Sequence, residues 1–141
     1  MQWSSVSLAR SNAAALGPKA TSFADEFLDR FVRECPELSR ALTWNREERR
    51  RSLLDTFAAV LRQAGHSQSL AARLIVISTS NERRGVRRQH YNLGREILLE
   101  MLAEYNGPSW NRSLATAWEE LLDHVLIHLA PPQSFEEALA A

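Results

Sequence analysis

The sequence predicts an all-α fold, and three observations carry that prediction. Apolar residues recur at helical spacing along nearly the whole chain. No apolar run alternates with period two and strand composition, and no internal repeat is present. Strong stop signals end periodic stretches at Gly17-Pro18, Asn106-Gly107-Pro108 and Pro131-Pro132.

A first helix is predicted over about residues 4–16, ending at Gly17-Pro18. A second starts near Thr21-Ser22, with Asp25 and Glu26 in its first turn, where the helix dipole favours acids. Phe23, Phe27, Leu28, Phe31 and Val32 make its buried stripe. Pro36 opens a short helical turn through Leu42. Asn45 can cap the next helix, whose apolar face is Leu53, Leu54, Phe57, Val60 and Leu61, and Gly65-His66-Ser67 ends it. Another helix is expected from about Ser69 to Ser80 through Leu70, Leu74 and Ile77, with a corner at Gly85. A long helix follows from about Arg88 to Tyr105. The last begins near Asn111 and buries Leu114, Trp118, Leu121, Leu122, Val125 and Leu129. The tail 131–141 reads as a loose short helix.

With 141 residues the chain is expected to form one domain, which can bury about two-thirds of its unfolded surface. No apolar run is long enough to span a bilayer. Met1-Gln2-Trp3 is not a basic start followed by an apolar stretch, so no signal peptide is expected. The single cysteine, Cys35, excludes an internal disulfide and fits a reducing cytoplasm. Net charge is zero but unevenly spread. Residues 46–95 hold eleven arginines against four acids, whereas residues 96–141 hold one arginine against eight acids. Such a division suits self-association. Sixteen of the seventeen basic residues are arginine, the better residue for forked contacts to carboxylate and phosphate.

Several segments resemble bacterial single-domain globins and flavohaemoglobins. Phe27-Leu28-Asp29-Arg30-Phe31 followed by Pro36 is similar to the family's second helix and its proline. Leu74 and Ile77 match the apolar positions ahead of the haem-binding histidine. Gly85-Val86 and His90-Tyr91 stand where the family has its Gly-Val pair and the aromatic beyond it. Gly94 with Ile97-Leu98-Leu99, then Trp110 and Ala117-Trp118, match the last two helices. The resemblance spans about residues 8–130 and implies a globin-like fold of six to eight helices. The departures gather at the haem pocket. Asn81 stands at the iron-ligand position, or Ser80 if the register shifts by one. The haem-stacking phenylalanine falls on Leu42, the distal residue on Arg49, and the oxygen-stabilising tyrosine on Leu28. A tyrosine of the last helix becomes Leu122, and the first helix's tryptophan becomes Asn12.

Because an asparagine amide is a poor iron donor, no cofactor is expected. The chain then reads as a haem-free regulatory or protein-interaction module that senses a small apolar or anionic ligand. It would be similar to the non-haem globin domains of bacterial stress-sensing proteins. The alternative is a haem-binding globin that binds or senses oxygen or nitric oxide through a non-standard axial ligand. A third reading is a carrier for an apolar ligand whose anionic head meets Arg49.

His66, His90, His124 and His128 read as surface or satisfied histidines, and Cys35 as a small core residue. Glu120, His124 and His128 form a column on the last helix that lacks a fourth zinc ligand, so no metal is expected. Arg46, Arg49, Arg50 and Arg51 open one helix, and Arg83, Arg84, Arg87 and Arg88 surround the corner at Gly85. In a globin both segments flank the pocket mouth, where they could take a phosphate, a carboxylate-headed lipid or an acidic protein partner. No interleaved aromatics suggest nucleic acid. No nucleophile–base pair or phosphate loop appears, so no enzyme is expected. In sensor globins the last two long helices often make the dimer. Here they carry Trp110 and Trp118, which suggests a homodimer.

Overall fold

In the computed structural model of the chain, residues 3–39 and 45–129 are described. They hold six α-helices: α1 (Trp3–Leu16), α2 (Ala20–Glu34), α3 (Arg46–Gln63), α4 (Ser67–Arg83), α5 (Arg88–Asn106) and α6 (Arg112–Leu129). Tight 3-10 turns occupy Gly17–Lys19, Pro36–Leu38 and Gly107–Ser109. The all-α prediction holds. Leu42 and the tail 131–141 lie outside the described residues.

Local chemistry sets most boundaries. The Asn45 side chain accepts from the Glu48 N–H at 3.0 Å and so caps α3. Asn111 does the same for α6, accepting from Leu114 N–H at 2.9 Å. Helix α4 is longer than predicted at both ends. Nothing stops it until Gly85, whose φ of +90° only glycine adopts readily. There the Arg84 and Gly85 N–H groups close back on the Asn81 and Glu82 carbonyls. Gly107, at φ +57°, ends α5.

Two apolar clusters form the core. One joins α1, α3, α4 and α6 through Val6, Val60, Leu70, Leu74, Trp118 and Leu121. The other joins α2, α5 and α6 through Phe27, Leu28, Ile97, Met101 and Leu122. Gly94 permits that second junction, because an added Cβ would stand 3.4 Å from the Phe31 ring. The most extensive helix pairing is α1 on α6, the first helix on the last. A carboxamide knot ties it. Asn12 and Asn106 bond reciprocally, and the Trp118 indole N–H donates to Asn12 Oδ1 at 3.0 Å. Asn12, where the resemblance expects tryptophan, thus serves the tryptophan of another helix.

Candidate functional site

The site is built where α4 ends, the corner at Gly85 turns, and α5 begins. Asn81 lies in the last turn of α4, half-buried, while Ser80 beside it is exposed. Of the two registers, Asn81 is therefore the residue turned inward. Its Nδ2 donates to the Tyr91 hydroxyl at 3.1 Å, across the corner. Burial pushes the Tyr91 phenol up from its ordinary value, and contacts with Asn81 and Ser78 pull the other way.

Tyr91 is held by its neighbour. His90 is buried, at 4 % exposure, so of the two readings, surface or satisfied, the second applies. Its Nδ1 accepts from the Arg87 N–H at 2.8 Å, capping α5 from inside the helix. That bond requires an unprotonated Nδ1, so Nε2 carries the hydrogen and donates to Glu37 at 3.0 Å. The Glu37 carboxyl is held below its usual range by its own backbone N–H and then by His90. The Cys35 sulfur completes a group whose ligand-type atoms all lie within 4.8 Å of one another. The group does not suit a metal. Nε2 could ligate only by shifting its proton to Nδ1, into the face of the Arg87 N–H. Burial also keeps the Cys35 thiol protonated, with Glu37 and Glu34 adding to the effect. The trio is a clasp between the Pro36–Leu38 turn and α5. Its parts are 53 residues apart in sequence, and no local motif announces them.

The arginines divide. Arg46 reaches the Asp29 carboxylate and the Asp25 carbonyl, and Arg50 pairs with Asp25 at 2.9 Å, so both turn toward α2. Arg51 faces Glu47 of its own helix, and Arg87 points to the Glu82 and Val86 carbonyls. Arg83 is exposed and Arg88 half-buried. Arg49 and Arg84 are brought together. Burial pushes the Arg49 pKa down, and the Arg84 guanidinium pushes it further. The charge of Arg84 thus acts on Arg49 at the start of α3, partly offset by Glu48.

The remaining predicted positions are apolar or occupied. Leu28 and Leu122 are buried in the same cluster, so two positions where the family often has tyrosine now pack in one core. Leu53 and Phe57 on α3 and Ile77 on α4 stay only half-buried. Glu120 accepts from Ser5 Oγ at 2.6 Å, and His124 and His128 meet edge to face at 5.3 Å. Trp118 is buried within its own chain and Trp110 packs against the same core. A surface cleft of about 450 Å³ opens between α2 and α5, but none of its lining residues belongs to α3 or α4. Among the described residues, no helix is long and apolar enough to cross a membrane.

No curated protein matches the chain. Among solved structures, it is similar to an engineered carbene transferase based on a protein assigned as a nitric oxide dioxygenase of Rhodothermus marinus. The two are 25% identical with a TM-score of 0.74, covering 99% of this chain and 95% of the other. That assignment runs against the expectation of no enzymatic activity. The globin family profile matches residues 49–129.

These findings overturn the expectation that the chain takes no cofactor. Globin helices pack around a haem pocket. Asn81 removes one donor, but the axial bond is only part of haem binding. Every 100 Å² of apolar surface buried contributes about 2.5 kcal/mol, and cations at the mouth meet the haem carboxylates. Asn81 itself offers iron no strong donor, and its amide instead binds the Tyr91 hydroxyl across the corner. With its profile matched over more than half its length, the protein belongs to the globin family.

Proposed function

We propose that this chain is a haem-binding globin that binds or senses oxygen or nitric oxide, with an axial donor other than histidine. The observation that carries this is its likeness, over nearly the full length of both chains, to the globin assigned as a nitric oxide dioxygenase. When bound, haem supplies an iron at which a diatomic gas coordinates. The chain's own residues support the rest. Half-buried Leu53, Phe57 and Ile77 keep part of their apolar surface outside the core clusters they pack against. Arg49 on α3 and Arg84 at the corner act on each other electrostatically, and guanidinium groups there are suited to the haem carboxylates. Buried Leu28 gives the α2 side no O–H donor for a bound gas. The chain would therefore hold oxygen less tightly than relatives with a tyrosine there.

Titration of the purified protein with ferric haem tests this. A saturable Soret band at one haem per chain is expected, with weaker uptake in Arg49→Met. A spectrum that stays that of free haem at stoichiometric protein would sink the proposal.

A further inference from the structure

We propose that His124 and His128 form an open site for a divalent transition-metal ion on the last two turns of α6. The site is separate from the haem-binding reading and stands or falls without it.

The two histidines are four residues apart on α6, so they stand one above the other on one face of the helix. Both are half-buried. Their ring centres are 5.3 Å apart, with an interplanar angle of 83°. An imidazole nitrogen bonds zinc at about 2.1 Å, which puts its ring centre about 3.25 Å from the ion. Two such rings at the tetrahedral angle stand about 5.3 Å apart. The spacing that a shared ion requires is therefore already built. One ring has to turn about its Cβ–Cγ bond to aim its nitrogen, and that torsion is soft.

The lone pairs and the surrounding field also suit a cation. Both ring nitrogens of His90 are engaged, by Arg87 and Glu37. His124 and His128 instead meet each other only through their rings among the described residues. A metal takes the neutral imidazole. Burial, and then His128, push the His124 pKa down, so this ring is neutral at pH 7. The pair lies at the C-terminal end of α6, where the helix dipole favours positive charge. Glu120, one turn before His124, is half-buried and held by the Ser5 hydroxyl at 2.6 Å. Its carboxylate adds negative charge on the same face of the helix.

The donor type selects the ion. Imidazole nitrogen suits zinc, nickel and copper, whereas magnesium and calcium take oxygen donors. A closed zinc site needs four protein ligands, which the Glu120, His124 and His128 column does not supply. Two imidazoles leave the remaining positions to water, so the site is an open one. Its ion ties together turns of α6 close to Leu129, whose carbonyl accepts from Ser78 of α4. It thereby stiffens the end of the helix on which α1 and α4 pack.

The test is isothermal titration of the untagged full chain with NiCl₂ and, separately, with MgCl₂. Saturable uptake of one Ni²⁺ per chain is expected, with no response to Mg²⁺. Outer partners of a metal ligand are worth about tenfold or more. Loss of a ligand itself, in His124→Ala or His128→Ala, should therefore weaken Ni²⁺ binding by at least about tenfold. His66→Ala should bind as the wild type does. No Ni²⁺ uptake, uptake unchanged in both α6 variants, or an equal response to Mg²⁺ overturns the proposal. A second measurement needs no variant and so survives a folding failure. Substoichiometric Cu²⁺ should broaden the ring signals of His124 and His128 in the wild-type NMR spectrum before those of His66 and His90. Broadening of His66 or His90 first overturns the assignment. None of these outcomes bears on haem, whose readout is the Soret band.

Discussion

The clasp around His90 is the smallest unit of this fold that a single change can break. Its ring satisfies a helix N-terminus with one nitrogen and a carboxylate with the other while buried. Replacing it with alanine removes both bonds and leaves the Arg87 N–H without its acceptor. His90→Ala should cost about 2 kcal/mol, read as a fall in the urea midpoint with an unchanged slope. An unchanged midpoint would mean that the ring is not bonded as described. At this scale the sequence shows composition and not direction. Asn81 is visible as a missing imidazole from the residues alone. Its bond to Tyr91 is not, because the contact crosses a corner whose angle depends on Gly85 at φ +90°. The role of His90 is hidden for a similar reason. Nothing near it in sequence reveals that Glu37, from the turn after α2, meets its ring.

Helices are legible where side chains act on their own backbone. Asn45 caps α3 as its type and position predict. Asn45→Ala should cost about 1 kcal/mol, seen as a lower thermal midpoint, and Asn45→Asp should recover most of it. Equal midpoints for wild type and alanine variant would remove the cap from the account. Legibility fails where an element's surface is answered by a distant one. The four arginines opening α3 read as one cluster. Asp25 and Asp29, a helix away, take Arg46 and Arg50, while Arg49 lies under the influence of Arg84 and Glu48. Helix α4 runs past the predicted Ser80 to Arg83. Within it the Ser78 hydroxyl bonds the Leu129 carbonyl and Thr79 bonds back to Ile75.

Across the whole molecule, titration sets the window of stability. Burial and then His128 push His124 below its ordinary value. The unfolded chain therefore takes up that proton first as pH falls, and stability declines from about pH 6.5 downward. Asp25, lowered chiefly by its hydrogen bond from Arg50, and Glu104, lowered by Arg30, add a second decline below about pH 4. Cys35 is raised, mainly by burial, so its contribution is present at neutral pH and lost as pH rises past about 8.5. Urea midpoints should form a plateau between these limits, and a midpoint still rising as pH drops to 5 would contradict the His124 account. The carboxamide knot of Asn12, Asn106 and Trp118 also constrains how the chain can be made. It closes over 106 residues, and α1 finds its largest partner in the last helix. When α1 is synthesised, Val6 and Ala9 have no α6 surface to cover them. The Arg10 bonds to the Leu61 and Arg62 carbonyls of α3 become available on the way. Of the six described helices, α1 is thus made before the others and finishes docking last, and the polar knot closes only when α6 has arrived.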